Sequence, residues 1–495
     1  MPTISRRRFL AQTGALFVGL SGDALLRPDA LFAQATPAAD PLVLLLGELV
    51  ADLERTFSYA SALYTASDGI QMARDRNGKQ VTFSPFRGHG VSLRVWDGVS
   101  FHEAATDDVS ADALRAAVQR LKRDVAPQKE RFHIEPLPAL ERSWNTELEI
   151  DPESLTLAER AAILDQEFAS VDWSDSRVRS VRVSTDESRV RRIFVDRTRR
   201  LASEIVQVSH GSFMFGLANG RPGAAFMRRI RQGGYENARF DEEAIEQLRV
   251  ELVEMFGAER VPGGEYDCIF SPPVTGLLAH ESFGHGVEMD QFVKDRAKAR
   301  EFLGKKVAAE IVSLSDDPTV NGMRGSYPFD DEGMLSAPTR IIDRGIFVSP
   351  ITDLMSSTYL GRPRTPNGRT QAWDRKVYAR MSNTFIERGD TDPDAMIAGM
   401  EDGLYLDGFR NGIEDPQGWG IQFTTRVARE IKKGKFTGKV YTPITVSGYV
   451  PEILGNVTQV GSDFAIEPGS CGKGFKEFVP VGSGGPHVRT RARVS

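Results

Sequence analysis

From residue 265 onward the chain breaks into short β-like runs, and this texture limits the fold more than any other feature. "AAEIVSLSD", "TRIIDRGIFVSPI", "GIQFTTRVAREIKKGKFTGKVYTPITVSGYV" and "FKEFVPVGSG" are bounded by Gly, Pro, Asn and Asp. Alternating and β-branched residues between such breakers read as strands. Strands that follow one another without intervening helices favour antiparallel pairing. One stretch departs from the pattern. "EYDCIFSPP" is a short strand ending at prolines, and "VTGLLAHESFGH" after it is helix-like. A β-rich, mainly antiparallel domain with one inserted helical element is expected over residues 265–495.

The first half has a different rhythm. Asp40-Pro41 reads as a capped helix start, and Leu42, Leu45, Leu46, Leu49 and Leu53 recur at helical spacing. A hairpin follows in "MARDRNGKQVTF", with Asn77-Gly78 as its turn. "GVSLRVWDG" alternates as a strand, and Ser110 caps a helix that buries Leu114, Ala117, Val118 and Leu121. The same order then recurs. A helix runs from about Leu157 to Phe168. "RVRSVRV" and "RVRRIFV" read as two strands around a turn at Thr185–Ser188. "ASEIVQVSHG" is a third strand, and a helix from Asp241 to Phe256 closes the block. The expected class is α+β: an N-terminal α/β domain, residues 36–264, of two similar helix-hairpin-strand-helix halves, followed by the β-rich domain carrying the metal-site helix.

Bulk properties exclude some functions. A length of 495 residues predicts roughly two to four domains. A net charge of -6 argues against nucleic acid as a partner. The nine arginines from Arg177 to Arg200 alternate with apolar residues, as on a solvated sheet face. No apolar run after the leader is long enough for a membrane span in the mature chain. Residues 1–35 form that leader. "SRRRFL" supplies a basic start, "FLAQTGALFVGL" a short apolar run, and Ala33 and Ala35 an A-x-A cleavage site. Arg6-Arg7 with Phe9 and Leu10 resembles a twin-arginine signal; the alternative is an ordinary secretory signal. Either one predicts a periplasmic or otherwise exported protein.

The chemistry concentrates in "LLAHESFGHGVEMD", Leu277 to Asp290. A helix turns about 100° per residue, so histidines four apart diverge by about 40° and can share one ion. His280 and His285 are five apart and diverge by about 140°, which a regular helix cannot bridge. A π-type widening or a break between them would restore convergence, and Gly284 is where a break is easiest. Two imidazoles would then hold Zn2+, a third protein ligand would complete the site, and water would take the open position. Glu281 would act as general base towards that water and pass its proton to the leaving amine. His210, Glu288, Asp290 and Cys471 are the candidate third ligands; Cys471 lies in the glycine-rich "GSCGKGF". The competing reading is a core helix with one exposed histidine. Cys268, in the apolar "YDCIF", reads as a buried thiol, although two cysteines in an exported chain also invite a disulfide.

"LLAHESFGHGVEMD", "GSYPFDDEGM", "TPNGR", "RMSNTFI" and "GSCGKGFKEFVPVGSGGP" occur in an order and spacing that resembles the TldD/PmbA family of metalloproteases. The resemblance implies zinc bound by His280, His285 and Cys471, with Glu281 as catalytic base, as in the TldD-type subunit. It implies cleavage of small or unfolded polypeptides that bind as an added β-strand. It implies a homodimer, or a heterodimer with a TldE/PmbA-like subunit. Members familiar from this family are cytoplasmic, so the leader sets this chain apart. The alternative function is a non-catalytic peptide-binding or scaffold subunit, with Cys268 and Cys471 joined as a structural pair.

Overall fold

A computed structural model describes residues 32–33, 40–83, 87–240, 242–474 and 477–495. The leader, apart from residues 32 and 33, lies outside the described residues. So do Phe475 in the glycine-rich loop and Asp241 at the start of its helix.

The N-terminal half builds one nine-stranded sheet that both repeats share. The first repeat forms as its pattern demands. Asp40 caps the helix Pro41–Leu53 by accepting from Leu42 N, and Val43, Leu46, Leu49, Val50 and Leu53 are buried. Ser110 caps Ala111–Asp124, whose buried residues are Leu114, Ala117, Val118 and Leu121. Both helices pack on Val91, Leu93, Val95, Ile193 and Val195. The hairpin joins Tyr59–Asp75 to Gly78–Phe83 with Asp75 opposite Gly78, so Arg76-Asn77 is the loop and Gly78, at φ 131°, follows it.

The second repeat differs in one respect. Val178–Asp196 is a single strand of 19 residues, not a hairpin. The turn-forming "TDES" is paired on both flanks: Thr185 faces Met72 on one side and His210 on the other. Its charged side chains find partners within the sheet. Gln71 Nε2 donates to Asp186, and Arg160 donates to Glu187. Local turn preference yields here to continuous ladders. The helices Leu157–Ala169 and Glu242–Phe256 cover this end of the sheet.

The arginines also differ from expectation. Arg192 Nε lies 2.9 Å from Asp331, and Arg199, 5% exposed, donates to the Gly333 carbonyl. Part of that sheet face therefore packs against the later half of the chain, not water.

The later half contains two larger sheets and a two-stranded one that pairs Gly368–Arg369 with Tyr378–Ala379. In the first, Gly264–Phe270 pairs with both Asp402–Asp415 and Val488–Val494. Gly420–Lys432 and Ile444–Tyr449 complete the circuit, so five strands close a ring. The second is six-stranded and ends in Asn383–Ile386, Glu477–Gly485 and Ala465–Lys473. Pairing is mainly antiparallel; Gly264–Phe270 with Asp402–Asp415, and Asn383–Ile386 with Glu477–Gly485, are parallel. Instead of one helical element there are several short ones, including Pro272–Ala279, Leu354–Leu360, Pro393–Ala398 and Val450–Gly455. No helix among the described residues is long and apolar enough to cross a membrane.

Candidate metal centre

The helix Pro272–Ala279 leaves the ring strand Gly264–Phe270 at Ser271, with proline in its first turn. It presses on Glu477–Gly485 at Gly276, where a Cβ would meet Gly484 N at 2.5 Å. That strand pairs with Ala465–Lys473, Val479 opposite Cys471. Close approach at one glycine thus brings the thiol-bearing strand to the histidine helix.

Beyond Ala279 the helix widens. Residues His280–Gly284 form a π turn, closed by the His285 N–H donating to the His280 carbonyl, and His285–Val287 tightens into a 3₁₀ turn. The five-residue spacing is accommodated by this extra residue in the turn. Gly284 is needed for a reason other than dihedral freedom. Its φ and ψ are -84° and -80°, but a Cβ there would lie 2.0 Å from Met381 Sδ.

Donor atoms of His280, His285 and Cys471 all lie within 4.8 Å of one another, and all three residues are buried. Cys471 Sγ is 3.3 Å from His285 Nε2. Burial would raise the Cys471 pKa, but His285 and Arg380 overcome it and hold the thiol well below its ordinary range. Burial would likewise lower His285, yet the thiolate and Glu288 raise it well above the usual value. His280 Nδ1 is buried without a hydrogen-bond partner. Two imidazoles and a readily ionised thiol in one closed cluster suit zinc, which prefers nitrogen and sulfur donors.

Glu281 is 6% exposed and lies against Gly412, where a Cβ would come 2.5 Å from its carboxylate. Glu288, a candidate third ligand, instead receives His285 Nδ1 at 3.3 Å, and Asp290 receives Lys473 Nζ at 2.6 Å. His210 is not brought to the site: it is buried in the N-terminal sheet, its Nε2 2.5 Å from Glu167. Cys268 is buried in the core, and burial pushes its thiol up. Cys268 and Cys471 are both free.

Four residues at the site carried no assigned role in the sequence reading. Arg380 donates to the Cys471 carbonyl at 2.6 Å and its sulfur at 3.1 Å. Lys473 lies 3.0 Å from Glu288, whose carboxyl is pushed down to about 2: burial opposes this, but Lys473 and His285 outweigh it. Gly412 makes room for the Glu281 side chain, and Glu414 offers a second carboxylate within 4.8 Å of Glu281 and His285. Arg380 and Lys473 stand inside "RMSNTFI" and "GSCGKGF", so position within those motifs was the available signal. "TPNGR" and "FDDEG" form the support beneath. Asn367 Nδ2 donates to Asp316 and to the Arg380 carbonyl, while Asp330 and Asp331 accept from Gly368 N and Thr370 N.

Residues 263–494 match the PmbA/TldA metallopeptidase C-terminal domain. A metalloprotease of Methanothermobacter thermautotrophicus is 36% identical over 263 residues, 52% of this chain and 57% of that protein. The chain therefore spans little more than half the length of that relative. A metalloprotease of Methanocaldococcus jannaschii is 28% identical over 435 residues, 85% of this chain and 93% of that protein. The structure of TldE from Thermococcus kodakarensis superposes with a TM-score of 0.67 at 16% identity, covering 91% of this chain and 100% of that one. The last comparison shows a shared fold.

Proposed function

Because the chain belongs to the PmbA/TldD family, we propose that it is a zinc-dependent peptidase that hydrolyses peptide bonds in small or unfolded polypeptides. The observation that carries this reading is the convergence of His280, His285 and Cys471, the last two separated by 186 residues of chain. Nothing in a merely structural helix calls for that meeting. The alternative of a scaffold stapled by a Cys268–Cys471 disulfide gains no support, since both thiols are free.

Zinc held by His280, His285 and Cys471 would polarise the scissile carbonyl and acidify water. Glu281 takes a proton from the attacking water at its carboxylate and returns it to the departing amine. Gly412 leaves its side chain room to do so. Glu288 orients His285 through Nδ1, and Arg380 fixes the Cys471 strand through sulfur and carbonyl together. An exported site of action rests on the twin-arginine-like leader, residues 1–35. A second copy, or a TldE/PmbA-like subunit, as partner rests on family membership.

The test pairs metal analysis with turnover. Wild type is expected to hold about one zinc per chain. His285→Ala and Cys471→Ser should lose it, and Glu281→Gln should keep it but cleave an unfolded peptide at least about 100-fold more slowly. Normal cleavage by Glu281→Gln would remove that residue from its role. Zinc retained by Cys471→Ser would dissolve the three-residue site.

A further inference from the structure

Beside the three donors lies a cleft of about 460 Å³, lined among others by His285, Glu288, Gln291, Glu414, Lys473 and Phe478. Most of its charges are matched within the protein. Lys473 Nζ is 3.0 Å from Glu288 and 2.6 Å from Asp290. Glu414 is the exception: among the described residues it makes no salt bridge with a lysine or arginine. A ring nitrogen of His285 lies within 4.8 Å of its carboxylate. A second oxygen in the cleft is also unsatisfied. Glu288 is 2% exposed, yet its Oε1 has no hydrogen-bond partner, with Arg380 Nε 3.5 Å away.

The strand Asp402–Asp415 places Glu414 deliberately. Gly412 and Glu414 are two apart and so share one face. Gly412 accommodates Glu281, and Glu414 reaches the same group of atoms, while Ile413 between them is 65% exposed. An unmatched carboxylate in a partly dehydrated cleft is costly by itself and becomes favourable when a cation arrives. A cation seated there would lie within a residue or two of any bond positioned over Glu281.

We propose that Glu414 is the receptor for a positively charged group of the substrate beside the bond that is cut, and so determines specificity. Two groups share that chemistry: the α-ammonium of a chain terminus and a lysine or arginine side chain. The first would make the enzyme trim free amino ends; the second would make it cut next to basic residues. The same carboxylate repels acidic residues at that position. This inference rests on the peptidase reading of the cleft.

The experiment measures binding on the zinc-loaded full chain, using Glu281→Gln and Glu281→Gln/Glu414→Gln. Three peptides of one sequence serve as probes: an acetylated norleucine peptide, its lysine counterpart, and the norleucine peptide with a free amino end. Glu281→Gln should bind one cationic peptide at least about tenfold more tightly than the neutral one, and the preference should shrink as salt rises. The double variant should lose that preference at equal zinc content. Which cationic peptide wins identifies the group recognised. Equal binding of all three, a preference surviving in the double variant, or zinc lost on Glu414→Gln would each overturn the assignment. Turnover by wild type is scored separately. Charge-selective binding without cleavage sinks the peptidase and leaves the receptor standing; cleavage without charge preference does the reverse.

Discussion

Cys471 Sγ sits 3.1 Å from the Arg380 guanidinium and 3.3 Å from His285 Nε2, so its anionic form is surrounded by positive charge. Arg380, 1% exposed, is a fixed and planar donor that meets sulfur and carbonyl together, which a lysine cannot reproduce. Arg380→Met, and Arg380→Lys nearly as much, should weaken zinc binding about 10–100-fold in competition with a chelator. Unchanged affinity in both would show that Arg380 only fills space. Asp353 makes a different prediction. It caps the helix Leu354–Leu360, and its Oδ2 is buried without a partner. Burial, then Glu332 and Asp290, push its carboxyl up to about 6 from 3.8. Between those values the folded chain keeps a proton that the unfolded chain has released, so stability falls as pH rises through the window. Asp353→Asn mimics the protonated form. Its stability relative to wild type should improve by roughly 2 kcal/mol between pH 4 and pH 6, read from urea unfolding. A gap independent of pH would refute the shift.

A distortion at His280–Gly284, either a widening or a break, was legible in the spacing, because a regular helix cannot aim two histidines five apart at one point; the structure resolves it as a π turn. The role of Gly284 was not legible. The constraint comes from Met381, about a hundred residues later, which sequence spacing cannot place against it. Gly284→Ala should cost roughly 1–3 kcal/mol through overpacking, and Met381→Ala should return part of that loss. No rescue in the double variant would move the constraint elsewhere. The 19-residue strand Val178–Asp196 was misread for a related reason. "TDES" carries turn preference, and only its cross-strand neighbours Met72 and His210 overrule it. Glu414 escaped notice because its meaning lies in what it faces, and a lone glutamate on a β-like run signals nothing beyond polarity; "RMSNTFI" marked the position of Arg380 but not its contact with Cys471.

At the scale of the molecule, the capped helices and the change of texture near residue 264 were readable from local pattern, and the closure of five strands into a ring was not. Closure pairs Gly264–Phe270 with Val488–Val494, a contact without local signature. The N-terminal helix Glu242–Phe256 is tied to that ring by charge. Arg429 meets Glu254 at 2.7 Å and Asp407 at 3.2 Å, and Arg426 meets Glu251 at 2.9 Å. Arg429→Met removes the ion-paired cation from Asp407, 6% exposed, and should lower stability by about 3 kcal/mol. A loss under about 1 kcal/mol would show that the tie is solvated. The long separation in sequence between His285 and Cys471 has a consequence in time as well as space. An emerging chain carries His280, Glu281 and His285 at least 186 residues before it carries Cys471. On the peptidase reading proposed above, the emerging chain lacks one of the three converging donors until Cys471 is made, so the centre cannot assemble before then. Order of translation would then act as a safety catch, keeping the proposed activity away from the unfolded nascent polypeptide.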